Sequence, residues 1–169
     1  MSYRVAMVFL GSLALCACGD DHAHDHDHDH GEDPEAHACE HLEEGPFQQV
    51  AAAADVMMAP TVEGIHVAYD VTLQDDGAGN FGGVAIYRAT EAAEFVFYAD
   101  ASVPIAFEDA AGAAVSPEGS CTANPCSSAC AMIQARYALD LEAAAYTLRF
   151  GPYPAAQFRL LVEEASHAH

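Results

Sequence analysis

"IHVAYDVTL", residues 65–73, decides the fold. Ile65, Val67, Tyr69, Val71 and Leu73 fall on one side, and His66, Ala68, Asp70 and Thr72 on the other. A period of two marks an extended strand with one buried face. The same alternation returns in "YALDL" (Tyr137, Leu139, Leu141), "YTLRF" (Tyr146, Leu148, Phe150) and "FRLLV" (Phe158, Leu160, Val162). Shorter runs at "VAIYRA", "EFVFYA" and "VPIAF" read as further strands, separated by the turn-forming "QDDGAGN" and "EDAAGA".

Seven to nine short strands over about 120 residues predict an all-β domain, an antiparallel β-sandwich of immunoglobulin-like or cupredoxin-like type. "QQVAAAADVMMAP" scores as helix by propensity, but in a chain this rich in alanine it reads as a first edge strand with an irregular end, with a helix as the alternative. Met57 and Met58 there are soft donors for Cu(I), and core filling is the stronger expectation. His66, on the polar side of its strand, reads as a surface or hydrogen-bonded histidine rather than a ligand.

The composition changes upstream of Pro46. Residues 19–45 hold Leu42 and no other large aliphatic or aromatic side chain. Residues 18–33 therefore cannot bury enough apolar area to offset ordering and are expected to be disordered. From His22 to His30 every second residue is histidine (His22, His24, His26, His28, His30), with aspartate at three of the positions between. Imidazole suits Zn, Ni and Cu, and the carboxylates add negative charge. The stretch is locally similar to the histidine-rich loops of bacterial zinc-uptake binding proteins and nickel-handling chaperones. That resemblance implies metal handling without naming an ion; Zn2+ is expected first, with Ni2+ or Cu2+ next, and a flexible ligand string suits buffering or delivery.

"DPEAHACEHLEEG" predicts a helix over 34–45. Asp33 is its cap, Pro34 fits its first position, and Gly45 suits its exit. On it His37 and His41 lie one turn apart, with Glu40 and Glu44 beside them. Cys39 lies about 200° round the helix from His37, on the side of Leu42, and so faces the domain. The competing reading takes "HACEH" as extended, with His37, Cys39 and His41 on one face.

The start of the chain has one arginine, Arg4, then an apolar and small-residue run from Val5 to Ala17, too short to span a bilayer comfortably. Its ending, Leu15-Cys16-Ala17-Cys18, resembles the lipobox of bacterial lipoproteins. That resemblance implies a signal peptide over 1–17, lipidation of Cys18 and attachment to a membrane through the lipid alone. Gly19, where enteric inner-membrane lipoproteins carry aspartate, implies the outer membrane of a bacterial envelope. After Cys18, Cys39, Cys121, Cys126 and Cys130 read as two disulfides. Cys121 with Cys126, and Cys39 with Cys130, is the expected pairing.

Without residues 1–17 the chain keeps four arginines against 26 acids, a formal charge of −22, and it has no lysine. Such a chain repels nucleic acid and attracts cations. The expected organisation is signal peptide 1–17, tail 18–33, helix 34–45, sandwich 46–166 and a mobile end at 167–169, where His167 and His169 offer a weaker chelate. The residues show no nucleophile motif, P-loop, dinucleotide fingerprint or zinc-protease helix, so an enzyme is not expected. Two functions remain. One is a metal-binding envelope lipoprotein; the other is a sandwich that binds an envelope protein or polymer while the tail serves as a spacer.

Overall fold

The computed structural model describes residues 33–122 and 125–165. Among them the helix α1 (Pro34–Glu44) precedes the strands β1 (Phe47–Ala51), β2 (Thr61–Val62), β3 (Val67–Thr72), β4 (Gln74–Asp75), β5 (Phe81–Arg88) and β6 (Ala93–Ala99). They continue with β7 (Ile105–Glu108), β8 (Ala114–Val115), β9 (Gly119–Cys121), β10 (Ala135–Leu141), β11 (Ala145–Tyr153) and β12 (Gln157–Glu164).

Two sheets pack as a sandwich. The first runs β1-β3-β12-β6-β10-β9, and the second β2-β5-β11-β7-β8 with β4 also on β5. The alternating residues meet between them: Tyr69, Val71, Leu139, Leu148, Phe150, Leu160 and Val162 are all buried in one core. Edge-on aromatic contacts link Tyr87 to Phe97 and Phe97 to Phe107, each with centroids 5.0 Å apart. Burying each such side chain stabilises the fold by about 1.5–3 kcal/mol before ordering costs.

The sheets are mixed rather than purely antiparallel. β1 pairs parallel with β3, and β2 parallel with β5. After β1 the chain crosses to the second sheet as β2 and returns to the first as β3, and parallel neighbours require such a crossover. Period-two patterning identifies strands but carries no information on their direction.

The Ala- and Met-rich stretch is an edge strand followed by a single 3-10 turn at Val56–Met58. Core filling by its methionines does not hold: Met57 is 88 % and Met58 79 % exposed. Asp55 caps the turn through the Met57 N–H at 2.8 Å, and the cap turns both methionine side chains to solvent.

α1 covers the outer face of the first sheet. Ala38 and Leu42 are fully buried against Val96, Tyr98, Ala138, Leu161, Cys130 and Ile133, a second and smaller core. Asp33 caps the helix by accepting from the Glu35 N–H at 3.0 Å, and Gly45 closes it at φ 85° with its N–H on the His41 carbonyl. Arg159 in β12 donates from Nη1 to the Leu42 carbonyl at 2.6 Å and from Nε to Asp70 at 2.8 Å. Thus one guanidinium satisfies an otherwise unpaired helix-end carbonyl and ties it to β3. Cys39–Cys130 and Cys121–Cys126 are the two disulfides, with the partners that the sequence reading joins.

Candidate metal centre

His37 and His41 project from one side of α1, one turn apart as their spacing requires, with ring centroids separated by 4.5 Å. His41 is oriented from behind: its Nδ1 lies 3.1 Å from the Gly45 carbonyl, which accepts the ring proton and leaves Nε2 for a ligand. Histidines that bind metals are commonly held by a backbone carbonyl in this way.

The sandwich supplies two more side chains. β3 and β12 run antiparallel with Val67 opposite Val162, so His66 and Glu163, one residue further out, face each other across the pair. His66 Nδ1 lies against Glu163 Oε2. The His66 ring centroid is 5.4 Å from that of His37 and 5.3 Å from that of His41. Three elements are brought to one point: a helix, the residue entering a strand, and the end of its neighbour.

His66 has a positive φ of 60°. Left-handed backbone costs a residue with a Cβ about 1 kcal/mol or more, and the surroundings hold it there. Its N–H donates to the Val162 carbonyl at 3.1 Å. Just upstream, the Tyr69 hydroxyl donates to the Glu63 carbonyl at 2.5 Å, fixing the loop that delivers the imidazole.

Glu163 shares the outer face of β12 with Leu161, beneath α1, and its side chain is only 10 % exposed. Burial pushes its carboxyl up to about 7, because removing the carboxylate from water penalises the charged form. Its Oε1 is buried with no hydrogen-bond partner among the described residues. A buried carboxylate oxygen left in that state is costly, and a cation would satisfy it.

The ligand atoms of His37, His41, His66 and Glu163 all lie within 4.8 Å of one another. Tetrahedral zinc with bonds of about 2.0–2.2 Å needs ligand atoms roughly 3.4 Å apart, a closure within reach of small side-chain rotations. The three histidines are half-buried, leaving one side open to solvent. Three neutral imidazoles and one carboxylate suit a borderline divalent ion better than a soft monovalent one.

Sequence reasoning found half of this group. His37 and His41 are in it, on the expected helix and not on an extended segment. Glu40 and Glu44, expected beside them, are exposed, and the carboxylate in the group is Glu163. His66, read as a surface or hydrogen-bonded histidine, belongs to the group, because the strand's polar side lies under the helix rather than in solvent. The signal for Glu163 was Leu161, an apolar residue on the outward side of "FRLLVEE", which shows that this side is also covered. His22, His24, His26, His28, His30 and Cys18 lie outside the described residues, as do His167 and His169.

No family model matches the sequence, and no curated protein matches it at a significant level.

Proposed function

We propose that this protein is an envelope lipoprotein, anchored through Cys18, that binds a divalent transition metal, zinc first and nickel or copper(II) next, for buffering or delivery. One observation carries the reading: His37, His41, His66 and Glu163 converge from three elements with their ligand atoms within 4.8 Å. A lone histidine pair on a helix is common; a third imidazole opposite a buried carboxylate, aimed at the same point, is a donor set. The tail histidines would add ions held weakly and exchanged fast, whereas the fixed group would hold one ion tightly. Binding, rather than a reaction, is what such a set supports.

The test is calorimetric titration of the mature chain, with Cys18 replaced by serine, against Zn2+, Ni2+ and Cu2+ at pH 7.5 and 5.5. Beside it stands a version with His22, His24, His26, His28 and His30 changed to asparagine. The expected result is several ions on the first and one tight ion on the second, both weakened at pH 5.5 because imidazole must be neutral to bind. Zinc at a hundredfold excess over its dissociation constant should stabilise the fold by about 2.7 kcal/mol, a rise of roughly 8 °C in Tm. Binding no tighter than millimolar would sink the reading.

The alternative, a sandwich that binds an envelope protein, draws on the exposed apolar tip of Val56, Met57 and Met58. A metal-free result in the titration would leave that reading in place.

A further inference from the structure

Two ligands, His37 and His41, stand on α1; the other two, His66 and Glu163, stand on the sandwich. An ion in the group therefore cross-links the helix to the first sheet. The disulfide Cys39–Cys130 cross-links the same two bodies, with a Cα–Cα distance of 5.6 Å and a sequence separation of 91. Cys39 is two residues from each helical ligand, about 200° round the helix from both. It is packed into the small core with Cys130, which is 1 % exposed. The sulfurs thus face the domain while the imidazoles face the group.

An eleven-residue helix is marginal alone in water. What docks α1 apart from the disulfide is modest: Ala38 and Leu42 in the small core, the Arg159 contact to the Leu42 carbonyl, and a half-exposed Glu35–Arg136 pair at 3.7 Å. Two cross-links that fix the same helix share one ordering cost, so whichever forms first makes the second easier.

We infer that Cys39 and Cys130 are positioning residues for the metal centre: their disulfide raises its affinity, and by reciprocity a bound ion protects that disulfide from reduction. This rests on the metal reading above. Reduction breaks the S–S bond, places two electrons and two protons on the sulfurs, and with a phosphine reductant gives the phosphine oxide, its oxygen coming from water. In a cell, a thiol reductant would do the same by becoming a disulfide itself. Loss of the clasp would loosen the helical half of the ligand set and release the ion.

The experiment uses the chain with the five tail histidines replaced, so that the centre is the tight site that remains. Zinc affinity is measured by competition with a chromophoric chelator for this chain, for Cys39→Ala with Cys130→Ala, and for Cys121→Ala with Cys126→Ala. Loss of the first pair should weaken zinc about tenfold or more, and loss of the second less than threefold. The converse needs no cysteine variant: zinc should slow phosphine reduction of Cys39–Cys130, read by alkylation and mass spectrometry, and leave Cys121–Cys126 unchanged. Glu163→Ala should abolish that protection. Equal zinc affinity in all three chains, or reduction of Cys39–Cys130 at the same rate with and without zinc, would overturn the linkage while leaving the metal reading standing. Failure of the intact chain to bind zinc at all would overturn both.

Discussion

Asp76 and Glu163 are both carboxylates near the end of a strand, and their surroundings are opposites. Asp76, in the turn after β4, is exposed, and its Oδ1 accepts the N–H groups of Ala78 at 2.7 Å and Asn80 at 3.1 Å. Those bonds hold its carboxyl below the usual range. Asp109, after β7, is built alike, with the N–H groups of Ala111 and Ala113 each at 2.8 Å. Glu163 is buried, borders His66, and has one oxygen with no hydrogen-bond partner among the described residues. An acid whose lone pairs are spent on its own turn shapes a loop; an acid buried with a lone pair unspent and imidazoles around it is equipped to receive a cation.

The largest effect that can break this contrast is on zinc affinity. His66→Ala or Glu163→Ala should weaken binding at the fixed centre by about a hundredfold or more, since each removes one of four donors from a tetrahedral shell. Asp76→Ala and Asp109→Ala should change it less than twofold. Chelator competition on the chain without tail histidines measures all four. A turn variant as damaging as a ligand variant would mean that the ion sits elsewhere.

How much of the contrast was legible beforehand follows from what a sequence encodes locally. The strands, α1 with its cap and exit glycine, and the turn role of "QDDGAGN" all depend on residues a few positions apart. The pairing of Cys39 with Cys130 was readable because four cysteines allow few choices. The pairing of β3 with β12 was not, since it joins residues about ninety positions apart through register alone, and that register brings His66 to Glu163. The parallel β1–β3 pair escaped because alternation carries no strand direction. Leu161 in β12, and Val96 and Tyr98 in β6, apolar on the side away from the main core, were local signs that something covers that face.

The next effect is on the stability of the metal-free fold. In the folded chain Glu163 keeps its proton up to about pH 7, whereas unfolded it releases it near the ordinary value of about 4.3. Between these values the folded state holds more protons, so stability falls as pH rises, and the loss is complete above about 7. The whole displacement corresponds to roughly 3–4 kcal/mol. Glu163→Gln should remove that slope, raising the Tm of the metal-free chain at pH 8 and changing it little at pH 4, while weakening zinc. Thermal unfolding in the presence of a strong chelator checks it. An equal or lower Tm at pH 8 would mean that Glu163 serves the fold rather than the ion.

The smallest effect has the opposite sign of pH dependence. Asp76 titrates lower folded than unfolded because its carboxylate accepts backbone N–H groups. Its contribution is therefore present above the unfolded value and is lost as pH falls through the folded one. Asp76→Ala should lower Tm slightly at pH 7 and by less as the solution is acidified, with zinc affinity at neutral pH unchanged. Paired with Glu163→Gln, it yields two acids whose removal changes stability in opposite directions at neutral pH, only one of which changes metal binding. If both variants lost stability together at pH 7, burial at Glu163 would be offset by contacts made without any ion, and the carboxylate would belong to the scaffold of α1 instead of to its cargo.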